Sequence, residues 1–247
     1  MDEKYQSLFT PWKIGNCEIK NRIVLTSMGG TSIFGWMEPH HFDKEAANFL
    51  LDRAKNNVGL ILPGIAPIRN VIGGNWLYKS KSSFRHLKPF MEELHKTGAK
   101  MFVQLTAGFG RSFAISGMME MLATNKVLGA IAKPFINIDQ LTMSASPNPN
   151  RWSDKVPSRA MTIDEIHEFI KAFGKTAKMC KDAGVDGVEI HLGLPGVYNY
   201  ANALGAVAVG KRLGVSAEFI KKGLESLSPI AGRMETEKLT LKNGRNI

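Results

Sequence analysis

Four apolar runs of this chain end on residues able to hydrogen-bond or to let another group come close. Ile23-Val24-Leu25 runs into Thr26, Ser27 and Met28 before Gly29-Gly30, and Val58-Gly59-Leu60-Ile61-Leu62 closes on Pro63-Gly64. Lys100-Met101-Phe102-Val103 leads to Gln104, and Val185-Asp186-Gly187-Val188-Glu189-Ile190 delivers His191. The imidazole of His191 can donate or accept a hydrogen bond at an active site. The Gln104 amide both donates and accepts, and Gly64, with no Cβ, admits close approach to the backbone. Each residue also has a plainer reading. His191 could be a strand-end histidine with an ordinary hydrogen bond, Gly64 a turn residue and Met28 core filler, while Gln104 alone says nothing.

These residues need a scaffold that brings strand ends together. The near-continuous apolar character of the four runs, alternating with helical periodicity over 43–56, 86–97 and Thr162 to about Asp182, predicts a parallel sheet covered by helices, an α/β fold. Parallel barrels place their working residues at the carboxyl ends of strands, which is where this polar set falls. Thr162-Ile163-Asp164-Glu165 has the form of a capping box opening the last of these helices. The stretch 107–160 interrupts the rhythm. Phe113 to Phe135 is Met- and Ala-rich and predicted helical, a Pro/Asn/Ser loop follows, and a connection of this length is either a lid or binding loop or a solvated excursion. Beyond His191, Asn199 to Leu213 reads as an Ala-rich helix ended by Gly214, and Ser216 caps a second helix over 217–227 that Ser228-Pro229 breaks. Glu235 to Leu241 alternates like a strand, with Asn243-Gly244 as a turn signal.

The 247 residues, 44% hydrophobic, suffice for a substantial core. No apolar run is long enough to span a membrane, and the N-terminus lacks an export pattern. Cys17 and Cys180 fit no metal spacing, so a reduced, cytoplasmic protein without a metal site is expected. The net charge of +10 is spread over helix faces without interleaved aromatics. It suggests attraction of an anionic cofactor or substrate in preference to nucleic acid.

A resemblance now becomes visible. Leu8-Phe9-Thr10-Pro11-Trp12-Lys13-Ile14-Gly15 with Lys20-Asn21-Arg22-Ile23-Val24 is similar to the opening of the Old Yellow Enzyme family of FMN-dependent oxidoreductases. Val58-Gly59-Leu60-Ile61, Gln104-Leu105 with Gly110-Arg111, Pro157-Ser158-Arg159-Ala160-Met161-Thr162 and Asp186-Gly187-Val188-Glu189-Ile190-His191 continue it in order. The likeness covers about residues 5–191. The insert with Pro147-Asn148-Pro149-Asn150-Arg151-Trp152 resembles the anaerobic branch of bile-acid enoate and dienoyl-CoA reductases. The resemblance implies a (βα)8 TIM barrel, present here as about four βα units with a long insert after the third strand. It further implies FMN as cofactor, NADH or NADPH as reductant and a small enone or enoate as substrate. Thr26, Ser27 and Met28 would line the flavin, Gly64 would let its ring approach and Gln104 would bond its pyrimidine edge. His191 would be catalytic, polarising a substrate carbonyl so that the β-carbon accepts hydride.

Two departures stand out. The family's second carbonyl-binding position is Leu194, which cannot donate, and Gly29 stands where many members carry Cys or Thr. The remaining strands and phosphate-holding loops have no counterpart, and half a barrel cannot close on itself. Impaired activity and homo-oligomerisation through an exposed half-barrel edge are therefore expected. From Leu194-Pro195-Gly196-Val197-Tyr198-Asn199 to Gly232-Arg233-Met234-Glu235 the chain resembles the junction of central and C-terminal domains in Mur ligases, where an asparagine at Asn199 or Asn202 would lie near adenine. Residues 1–191 thus read as an N-terminal half-barrel and 192–247 as a ligase-like helical tail. Two alternatives to a flavin-dependent reductase stay open: an inactive chimeric or truncated chain, and an ATP-binding ligase fragment. Gly174-Lys175-Thr176 is no phosphate loop, because Phe169 stands where its first glycine belongs and the triplet sits mid-helix.

Overall fold

The computed structural model describes residues 3–190 except Trp36 and Pro157, together with Val207, Lys211 and 214–225. His191, Leu194, Asn199, Asn202, most of the helix expected over Asn199 to Leu213, and everything expected from Ser228 onward lie outside the described residues.

The chain enters through a 3-10 helix, Glu3–Phe9, and an antiparallel hairpin of β1, Trp12–Ile14, and β2, Cys17–Ile19, turning at Gly15 with φ +56°. The hairpin docks at the end of the fold where the parallel strands begin. Buried Asn21 donates from Nδ2 to the Asn57 carbonyl at 2.7 Å and accepts from the Ile23 amide at 3.0 Å, while Lys20 donates to the Thr97 carbonyl at 2.7 Å. Burial first, and then the Asp186 carboxylate, push the Cys17 thiol up from its ordinary value.

The parallel strands follow as β3, Val24–Leu25; β4, Leu60–Ile61; β5, Ala66–Pro67; β6, Lys100–Thr106; and β7, Gly187–Ile190. β3 pairs β4, and β4 pairs the start of β6. Leu105 of β6 then faces Ala66 of β5 on one side and Ile190 of β7 on the other. Leu60 to Ala66 is six steps and Lys100 to Leu105 is five, so β4 and β5 are one strand line carrying a one-residue bulge. The bulge spans Leu62-Pro63-Gly64-Ile65. Bulges re-aim the chain beside functional sites, and this one takes Gly64 out of the ladder.

Helices α1, Lys44–Lys55, and α2, Lys81–Lys96, connect these strands, and the insert and α6, Ile163–Asp182, carry β6 to β7. Asp43 opens α1 by accepting from the Ala46 amide at 2.9 Å. The core gathers Leu50, Ile61, Leu87, Met91, Leu94, Met101, Val103 and Phe173 between helices and sheet, each worth about 1.5–3 kcal/mol of burial. In α6, Thr176 and Cys180 are fully buried, and burial pushes the Cys180 thiol up to about 12. Lys175 reaches over the Tyr78 ring. The Gly174-Lys175-Thr176 triplet is helix packing, as its position requires.

Several boundaries differ from the sequence reading. Helix α2 begins at Lys81, five residues ahead of the expected 86, and holds Pro89 in its interior. Buried Ser83 and Phe84 anchor that first turn and Leu87 the next, outweighing the cost of a mid-helix proline. The first, second and fourth strands are shorter than the apolar runs that announced them. The 113–135 region is two helices, α3, Gly117–Thr124, and α4, Lys126–Ala132. Asn125 separates them by capping the Val127 and Leu128 amides at 3.1 Å each. A short α5, Ile138–Leu141, completes the insert around its own small core of Val71, Phe113, Met119, Ile138 and Val156. In the tail, α7, Ala217–Glu225, follows Ser216 and Gly214 as expected, and residues 226 and 227 of the expected helix lie outside the described residues.

The capping box of α6 forms fully. Thr162 accepts from the Glu165 amide at 3.2 Å, and Glu165 accepts from the Thr162 amide at 2.9 Å. Arg159 grips the same carboxylate at 2.6 and 2.8 Å and holds its pKa at about 2, below the ordinary 4.5. A depressed folded-state pKa stabilises above the unfolded value and loses that contribution as pH falls through the folded one. Glu165→Gln keeps the cap and removes the charge. It should cost about 1 kcal/mol at pH 7, after screening of this partly exposed pair. Thermal melts should show the difference shrinking from pH 4.5 and gone near pH 2; a pH-independent difference would contradict the ion pair.

Candidate functional site

The carboxyl ends of the strands bring part of the expected set together. Ser27, two residues past β3, donates from Oγ to Oε1 of Gln104 on β6 at 2.9 Å, and Gln104 is 7% exposed. The bond crosses the β4 line between them, so both side chains stand on the same face of the sheet. Along β6, Met101, Val103 and Leu105 belong to the core under the helices, and strand alternation puts Phe102, Gln104 and Thr106 on the opposite face. In the β6–β7 register Gln104 lies opposite Glu189. The amide is therefore bracketed by a hydroxyl from the first strand and a carboxyl group from the fourth.

Gly64 is joined to the loop after β3 and not to the amide. Its backbone N–H donates to the Thr31 hydroxyl at 2.9 Å and to the Thr31 carbonyl at 3.1 Å, and the same hydroxyl donates to the Met28 carbonyl at 2.9 Å. A Cβ at Gly64 would lie 2.6 Å from the Met28 carbonyl oxygen and 2.7 Å from the Ser32 nitrogen. Glycine is thus demanded by the close approach of two backbone segments. Met28 is 41% exposed, so it is surface lining and not core filler. Thr26 is exposed, and the structure shows no hydrogen bond tying it to the pair. His191 lies outside the described residues, one position beyond the last residue of β7.

Thr31 and Glu189 belong to this site although the sequence reading did not single them out. Strand alternation from His191 back to Glu189 is a signal for the second. Nothing in the sequence marks Thr31, whose role depends on a fold contact to Gly64. Close by, His40 bonds through Nε2 to the Pro67 carbonyl at 2.9 Å, and burial pushes its pKa down, favouring the neutral ring. A cavity of about 440 Å3 lies further out and is lined by none of Thr26, Ser27, Met28, Gly64 and Gln104. Among the described residues no group of His, Cys, Asp and Glu is placed to hold a metal ion, and no helix is long and apolar enough to cross a membrane.

With that geometry in view, the profile of the NADH:flavin oxidoreductase / NADH oxidase family matches residues 7–193. Cinnamate reductase of Clostridium sporogenes is 34% identical over 198 residues, covering 77% of this chain and 26% of that protein. The probable NADH-dependent flavin oxidoreductase YqiG of Bacillus subtilis is 26% identical over 77% of this chain and 45% of its own. Among solved structures, a 2-naphthoyl-CoA reductase complex superposes with a TM-score of 0.60 at 18% identity, over 85% of this chain and 34% of the other. The Old Yellow Enzyme homologue of Zymomonas mobilis gives 0.57 at 21% identity, over 84% and 61%. The chain spans between a quarter and a half of the curated relatives it matches.

Proposed function

Because the chain belongs to the NADH:flavin oxidoreductase / NADH oxidase family, we propose that its four βα units form the flavin-binding half of a (βα)8 barrel serving reduction of an activated C=C bond. The family's cofactor is FMN and its reductant NADH or NADPH. The observation that carries the reading is the Ser27–Gln104 bond at the strand ends, inside the matched segment. A buried amide already fixed by a hydroxyl presents donor and acceptor in one orientation, which suits the mixed donor–acceptor edge of a flavin pyrimidine ring. When bound, FMN supplies the hydride.

The protein's own groups would do the rest. Gln104 holds the ring edge, and Ser27 keeps the amide from rotating. Met28, exposed above the loop that Thr31 straps to Gly64, covers ring surface. His191 donates a hydrogen bond to the carbonyl oxygen of an enone, enoate or enoyl-CoA, drawing electron density from the β-carbon as the double bond is reduced. With Leu194 in the second position, that work falls on one donor.

Titration with FMN, followed by flavin fluorescence, should show saturable quenching, and the loaded protein should oxidise NADH when an enoate is supplied. His191→Ala should lower turnover about a hundredfold, the loss typical of one donor to a developing oxyanion, with FMN binding retained. Unquenched flavin at every protein concentration would refute the assignment. A second reading, an inactive chimera, draws on the family match stopping at residue 193. In it, residues 192–247 are a Mur ligase-like tail on a half-barrel whose open edges drive self-association. A monodisperse, cooperatively melting monomer would refute it. The two cysteines, both free, accord with a cytoplasmic setting.

A further inference from the structure

The 440 Å3 cavity lies between the loop after β5 and the insert, and it falls within the size range of small-molecule sites. Its inner wall is a tight loop. Arg69 and Trp76 form an antiparallel bridge, the Asn70 amide donates to the Asn75 carbonyl at 2.8 Å, and Gly73 and Gly74 turn the chain at φ +78° and +61°. Within this loop Arg69 is held from two sides. Its Nε donates to the Gly74 carbonyl at 3.1 Å, and its guanidinium lies 5.0 Å from the centre of the Trp76 ring.

Arg69 is half-buried, yet among the described residues no carboxylate lies within ion-pair distance of it. Glu168, the acid whose charge reaches it most, and Glu165, which Arg159 already grips, both lie beyond that distance. A desolvated cation without a paired anion is costly. The cavity adds a second cation, Lys133, and no acidic side chain lines it. The rest of its surface includes Phe109, Phe113 and Phe135, the last 70% exposed.

We propose that this cavity binds a small aromatic or alicyclic acid, its ring among the three phenylalanines and its carboxylate on Arg69, with Lys133 adding charge at the rim. A planar guanidinium fixed by a carbonyl and an indole is pre-organised for a carboxylate. The site is separate from the Ser27–Gln104 pair. Pro67 and Ala107, which line it, stand three residues past Gly64 and Gln104, about 10 Å along each strand. The proposal therefore stands or falls without the flavin reading.

Calorimetric titration of the flavin-free chain with 4-phenylbutyrate and with its uncharged amide tests it. The acid should bind about tenfold or more tightly than the amide, the margin of a charge-assisted hydrogen bond, and the margin should narrow as salt rises. Arg69→Met, keeping the apolar stem, should bring the acid down to the level of the amide. Lys133→Met, on an exposed side chain, should weaken the acid two- to threefold with the melting temperature unchanged. That variant keeps the test decisive if Arg69→Met does not fold. Added FMN should not displace the acid. Equal affinity for acid and amide, acid affinity unchanged in both variants, or competition by FMN would overturn the proposal.

Discussion

Gly64→Ala is expected to cost about 3 kcal/mol of stability, the upper end for overpacking, and to lower Tm by roughly 6–12 °C for a domain of this size. The new methyl would sit 2.6 Å from the Met28 carbonyl oxygen and 2.7 Å from the Ser32 nitrogen. Both are backbone atoms, so no side-chain rotation relieves the clash. The loop after β3 must lift from the bulge between β4 and β5, and lifting breaks the two bonds from the Gly64 amide to Thr31. Site and stability are coupled at this point, because the loop that moves carries Met28 and follows directly from Ser27. A thermal melt and an FMN titration on the same sample should therefore change together. A Tm within 2 °C of the parent would show that the strand line and the loop are not packed as described.

That coupling shows where the sequence was readable. The four apolar runs announced the parallel order, the Thr162–Glu165 pattern announced its helix, and the mid-helix place of Lys175 excluded a phosphate loop. Each of these depends on residues close in sequence. The bulge did not show, since it appears only in the mismatch of six steps against five between strands. Thr31 did not show either, because its hydroxyl matters through a glycine 33 positions away. Nor did Arg69, which in sequence is one cation among many and acquires meaning from standing in a cavity wall with no carboxylate at ion-pair distance among the described residues. Phe84 extended α2 past the expected start for the same reason: its burial in the core decided the turn.

Gln104→Leu should raise the Kd for FMN by about ten- to a hundredfold while leaving the fold nearly intact. The side chains are similar in size, and a buried amide replaced by an apolar group of like shape costs little in itself. What is lost is pairing. The Ser27 hydroxyl loses its acceptor at 2.9 Å, worth about 1 kcal/mol. On binding, donor and acceptor groups of the flavin edge would be left facing a methyl-bearing chain, at about 1–3 kcal/mol for the unsatisfied groups. Ser27→Ala separates the two effects. It leaves the Gln104 amide in place and frees only its orientation, so the loss in FMN affinity should stay within about fivefold. Gln104→Glu should also weaken binding, because it sets a second carboxyl group opposite Glu189 across the β6–β7 register. The order Gln104→Leu well above Ser27→Ala is the discriminating result. The reverse order would mean that the hydroxyl meets the ring and the amide merely supports it.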